Sequence, residues 1–120
     1  MRIIIADDSA FVRRIMIKML KTNFKGIEII ACPSGKEALE AFSQKPTEWM
    51  IVDLLMPVMT GQELIENIKE KFDMPKIIVA SADIQKATRD ELYEMGIVKF
   101  INKPLTAEKL KAIVDTIRGV

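Results

Sequence analysis

Three aspartates, Asp7, Asp8 and Asp53, follow short apolar runs, and a lysine, Lys103, stands before Pro104 at the end of another such run near the C-terminus. If those runs are strands sharing one direction, the four side chains meet at one edge of a parallel sheet. Three acids then crowd one ammonium. Like charges within a few ångströms oppose joint ionisation, so the cluster calls for a further cation. A divalent metal there would add two positive charges to that of Lys103 and balance the carboxylates. Histidine is absent from the sequence, which excludes a histidine acid or base, a Ser-His triad and a phosphohistidine carrier within this chain. Chemistry must run on carboxylates, hydroxyls and lysine.

The whole chain bounds what can position these groups. At 120 residues it has the length of one domain. With 49% hydrophobic and 29% charged residues it has enough apolar surface for a core and is expected to be globular. The net charge of +1 supplies no field toward nucleic acid or an anionic membrane surface. No apolar stretch is long enough to cross a bilayer, because Asp7 and Asp8 interrupt the first run at once. A cytoplasmic address without membrane insertion is therefore expected. The single cysteine, Cys32, cannot pair internally and reads as a small buried hydrophobe in a reducing compartment.

Apolar runs alternate with segments of helical spacing, the pattern of βα units around a parallel sheet. Strands are expected at Arg2 to Ala6, Ile27 to Cys32, Trp49 to Asp53, Lys76 to Ala80 and Ile97 to Ile101. In the first helical segment Val12, Ile15, Met16, Met19 and Leu20 recur at steps that make one buried stripe, with Ser9 as N-cap. Ser34 with Glu37 and Thr60 with Glu63 fit the S/T-x-x-E capping box. The helices they open should bury Ala38, Leu39 and Phe42, and Leu64, Ile65 and Ile68. A fourth helix is expected from about Ile84 to Glu94 before Gly96, and a fifth from Thr106 through Leu110, Ile113, Val114 and Ile117. The loops at the carboxyl ends of the strands share one rim, so Asp7, Asp8, Asp53, Ser81 and Lys103 share it too.

These residues also resemble a family. I-A-D-D-S at the first strand end, D-L-L-M-P-V-M-T-G after the third, A-S-A after the fourth and K-F-I-N-K-P-L at the fifth are similar to a response-regulator receiver domain of two-component signalling. The likeness spans essentially the whole chain, residues 1–120, read as one receiver domain. It implies a flavodoxin-like, doubly wound α/β fold whose five-stranded parallel sheet has the order 2-1-3-4-5, with five helices. It makes Asp53 the phosphoacceptor, charged by the phosphohistidine of a sensor histidine kinase or by a small acyl phosphate. The metal it implies is Mg²⁺, held by Asp8, Asp53 and the Leu55 backbone carbonyl, with Asp7 acting through a water. Hard oxygen ligands and retained water suit that ion.

The resemblance assigns Lys103 as second cation, with a cis bond to Pro104, and Ser81 as the hydroxyl that meets the phosphoryl group. For an isolated residue the bland readings are a loop-capping aspartate, a surface lysine and an N-cap serine whose two roles alternate. Phe100 matches the family's switch aromatic, although a phenylalanine in a strand is otherwise simply core. Gly61 is expected to permit a backbone angle or a close approach. The output surface implied is the fourth helix, fifth strand and fifth helix, read by a downstream protein target or a phosphatase. A stand-alone chemotaxis-type regulator is the expected form, monomeric, with dimerisation on phosphorylation as the alternative. It is expected to catalyse only its own phosphorylation and dephosphorylation. Leu55 and Asp83 lie near the path of hydrolytic water and should tune the lifetime of the modified state. Asn102 stands where the family is often apolar, which leaves burial there open. Competing readings are a receiver-like interaction module that is not phosphorylated, and a phosphohydrolase using Asp53 as covalent nucleophile.

Overall fold

The computed structural model describes residues 1–82 and 84–120. Five strands, β1 (Arg2–Ala6), β2 (Glu28–Cys32), β3 (Trp49–Val52), β4 (Lys76–Ser81) and β5 (Lys99–Asn102), alternate with five helices. The helices are α1 (Ala10–Asn23), α2 (Gly35–Gln44), α3 (Gly61–Lys71), α4 (Lys86–Met95) and α5 (Ala107–Arg118). All strand pairs are parallel, in the order β2-β1-β3-β4-β5. The expected α/β fold and strand order are thus present.

Strand alternation divides the core between the two faces of the sheet. Ile4, Met50, Val52, Ile77 and Val79 point to one face and pack with Ala38, Phe42, Leu64, Ile65, Ile68 and Leu92 of α2, α3 and α4. Ile3, Ile5, Ile51 and Ile78 point to the other and pack with Met16, Met19 and Leu20 of α1 and Ile113 and Val114 of α5. Every central strand residue from Trp49 to Val52 is buried, as a run covered on both faces requires.

Local signals hold the helix starts. The Ser9, Ser34, Thr60 and Thr106 side chains accept from the backbone N–H three residues on. Of the two expected boxes Thr60 and Glu63 close theirs reciprocally; at Ser34 the forward bond alone forms among the described residues, a correction to the expected pair. The fourth helix starts later than expected: its N-cap is Gln85, which makes no side-chain cap bond. Ser81 therefore caps no helix and is the last residue of β4. Gly96, at φ 108, ends α4 in the left-handed region, and the chain needs Ile97 and Val98 to return to the sheet, so β5 begins at Lys99.

Candidate functional site at the carboxyl rim

Asp7 and Asp53 owe their places to backbone pairing at strand ends. The Asp7 N–H donates to the Cys32 carbonyl at 3.0 Å and the Asp53 N–H to the Ala6 carbonyl at 2.8 Å, so both residues extend the ladder just past β1 and β3. Lys103 follows β5 and donates its N–H to the Ser81 carbonyl at 2.7 Å, and its bond to Pro104 is cis. Carboxylate oxygens of Asp7, Asp8 and Asp53 all lie within 4.8 Å of one another. The spacing of apolar runs placed these residues at one edge, and the structure brings them together.

Asp53 is 6% exposed, and every contact to its carboxylate comes from a different strand end or loop. Ser81 Oγ donates to Oδ1 at 2.8 Å, the Leu55 N–H reaches the same oxygen at 3.3 Å, and Lys103 Nζ lies 3.1 Å from Oδ2. Lys103 Nζ also sits 2.7 Å from Asp7 Oδ2, while Asp7 Oδ1 accepts from the Ser9 N–H at 2.9 Å. Both Asp7 oxygens are thereby engaged. Asp8 is exposed, and among the described residues no donor reaches its carboxylate. The Leu55 side chain points outward, 70% exposed.

The electrostatics follow from burial. Asp7 is 1% exposed, and loss of water raises its pKa above the ordinary carboxyl value, helped by the Asp53 charge and opposed by Lys103 and the Ser9 N–H. Burial by itself would lower Lys103, yet its bonds to Asp7 and Asp53 and their charges leave it raised. The lysine is thus firmly cationic, and one ammonium is shared between two buried acids. Three carboxylates that among the described residues share one directly paired cation, Lys103, fit a divalent ion of the hard, oxygen-seeking kind.

Gly61 matters through close approach and not through its dihedral angle. A Cβ there would lie 2.2 Å from the Asp53 carbonyl oxygen and 2.9 Å from Leu54 Cα. The start of α3 is thereby pressed against the chain segment that carries Asp53. Phe100 is 8% exposed and packs inside; its N–H donates to the Tyr93 hydroxyl at 2.9 Å, and Arg89 lies 6.0 Å from its ring centroid. Asp83 falls outside the described residues. Two supports carry no clear mark in the sequence. Arg13 donates to the Asp7 backbone carbonyl at 2.7 Å from the first turn of α1, a contact whose only sequence signal is a basic residue one turn beyond the Ser9 cap. Tyr93 left no signal, because its partner is a backbone group on another element.

The family model described as the response regulator receiver domain matches residues 3–115. The chemotaxis protein CheY of Bacillus subtilis is 32% identical over 118 residues, covering 97% of this chain and 97% of that protein. Response regulator RR06 of Streptococcus pneumoniae is 30% identical over 118 residues, covering 95% of this chain but only 53% of its own length. The chain thus spans about half the length of some curated relatives and nearly all of another. Among solved structures, the receiver domain of the response regulator AraT from Geobacillus stearothermophilus superposes with a TM-score of 0.84 at 26% identity, covering 98% of this chain and 92% of that one. Among the described residues no helix is long and apolar enough to cross a membrane.

Proposed function

This chain belongs to the response regulator receiver domain family, and from that premise we propose that it is a phosphorylation-controlled switch in which Asp53 is the phosphoacceptor. The observation that carries this reading is the double engagement of the Asp53 carboxylate, by Ser81 Oγ on one oxygen and Lys103 Nζ on the other. A buried aspartate met by a hydroxyl and an ammonium has the donors a phosphoryl group would need once attached. An Asp53 oxygen forms the new bond to phosphorus, and the bond from phosphorus to the donor's imidazole nitrogen, or to acetate oxygen, breaks with the electron pair leaving on the donor. Lys103 offsets charge on the phosphoryl oxygens, and Ser81 donates to one of them.

Asp8, Asp53 and the Leu55 carbonyl are the proposed Mg²⁺ ligands. Asp7, both of whose oxygens are already bonded, acts through water. When bound, the ion neutralises carboxylate charge and aligns the phosphoryl oxygens. The proposed donor is a sensor histidine kinase or a small acyl phosphate. The readers are a downstream protein or phosphatase that contacts α4, β5 and α5, with Phe100 as the aromatic between site and surface. The added group carries nearly two negative charges, enough to bias an equilibrium of a few kcal/mol. A cytoplasmic setting, a chemotaxis-type role and chemistry confined to its own aspartate complete the reading.

Intact mass after incubation with acetyl phosphate and Mg²⁺ tests it. The parent should gain one phosphoryl group and Asp53→Asn none; equal labelling of both would move the acceptor elsewhere. Beryllofluoride with Mg²⁺ should bind the parent, whereas an unphosphorylated interaction module would ignore it.

A further inference from the structure

Ser81 is 1% exposed, so its hydroxyl depends on acceptors within the fold in place of bulk water. Asp53 Oδ1 is one such acceptor, on the β3 side of β4. On the other side lies β5, where Ser81 is paired in register with Asn102. Side chains alternate along strands, and Val79 and Phe100 point to the α2–α4 face, so Ser81 and Asn102 point there together. Adjacent strands lie about 4.8 Å apart. Asn102 Oδ1 is buried and meets no donor among the described residues. An unsatisfied buried carbonyl is costly, and its register partner on β4 carries a hydroxyl whose one proton now goes to Asp53.

Resting on the phosphoacceptor reading above, we propose that Asn102 is a positioning residue whose side-chain carbonyl accepts the Ser81 hydroxyl and draws it off Asp53. Rotation about the Ser81 Cα–Cβ bond between staggered wells carries Oγ from the β3 side to the β5 side. In one position the hydroxyl waits where it meets a phosphoryl oxygen; in the other it leaves Asp53 to Lys103 and satisfies Asn102. The fraction of time spent on Asn102 sets how much of the resting protein is ready for the modified state. An apolar residue at 102 would offer no such second seat.

Asn102→Val and Asn102→Thr are matched in shape and differ by one hydroxyl, which restores an acceptor. Three-bond couplings of the Ser81 Hα and Hβ protons report its rotamers in the free proteins. The parent and Asn102→Thr should show two rotamers and Asn102→Val one. Beryllofluoride with Mg²⁺ should bind Asn102→Val about two- to threefold more tightly than the parent. A single Ser81 rotamer in the parent, or the same rotamer mixture in Asn102→Val, would overturn the proposal. So would a change in melting temperature shared by both variants with Ser81 unmoved, since that marks a purely structural residue. Failure of even the parent to bind beryllofluoride would instead strike the phosphoacceptor reading, while the couplings still decide the place of Asn102.

Discussion

The two rims of the sheet use the same kinds of charged side chain to opposite effect. At the amino rim Arg2 Nε lies 3.1 Å from Glu28 Oε2, Lys45 Nζ lies 3.9 Å from that same oxygen, and the N-terminal amine lies 4.0 Å from Glu48. Glu28 and Glu48 are more than half exposed there, so water solvates the acid of every pair. At the carboxyl rim Lys103 is paired with Asp7 and Asp53, whose side chains are 1% and 7% exposed. The carboxyl-rim pairs are the shorter set, yet one pair on each rim measures 3.1 Å, so distance does not separate the rims cleanly. Burial does, because an acid removed from water depends on its partner and an exposed one does not.

Substitutions should separate the rims widely. Removing the carboxyl-rim cation with Lys103→Met leaves two buried acids facing each other. Labelling by acetyl phosphate should slow by at least about 100-fold, and the variant should be roughly 2–4 kcal/mol less stable to urea without metal. Added Mg²⁺ should recover part of that loss, since it replaces the missing positive charge. An unchanged labelling rate would mean that Lys103 acts only on stability.

A steric change next to the same acid comes second. Gly61→Ala places a methyl against the Asp53 carbonyl, and a loss of about 2–3 kcal/mol is expected from overpacking. At Gly26, with φ 73, an added methyl would find nothing within 4 Å and meet only the left-handed backbone cost. Gly26→Ala should lose about 1 kcal/mol. Equal losses would show that the approach at Gly61 relaxes freely.

Dependence on pH sharpens the contrast. The native state holds the Lys103 proton more tightly than the unfolded chain does. That stability is complete below the ordinary lysine value and is lost as pH rises through the raised native one. Asp7 is raised as well, so in metal-free buffer its ionisation costs native stability as pH climbs from the ordinary carboxyl range through its native value. Urea titrations across alkaline pH should show a falling limb in the parent that Lys103→Met lacks. The smallest effect belongs to the amino rim: Glu28→Gln should change stability by no more than about 0.5 kcal/mol, and less in high salt. A larger loss there would undo the burial argument.

Most of this architecture was legible in the residues. Short apolar runs and helical spacing gave the alternating elements, the Thr60 and Glu63 box fixed one helix start, and the acids after apolar runs marked the rim. Contact-level facts were not legible. Ser81 fitted an N-cap by residue type, yet α4 begins beyond Gln85 and leaves the hydroxyl to Asp53. Arg13 and Tyr93 serve backbone groups, which every residue carries, so their roles leave no pattern.

By itself the sequence determined which elements form, because periodicity and capping act over a few residues, and it determined that three acids and a lysine follow the first, third and fifth apolar runs. The tertiary structure alone decided how those groups share bonds. It gave both Asp7 oxygens partners, kept Asp8 at the exposed edge, shared Lys103 between two acids and bonded the Ser81 hydroxyl to Asp53 while pairing its strand position with Asn102. The physical reason is that hydrogen bonds and desolvation depend on ångström-scale distances between residues far apart in the chain, and no local pattern encodes those.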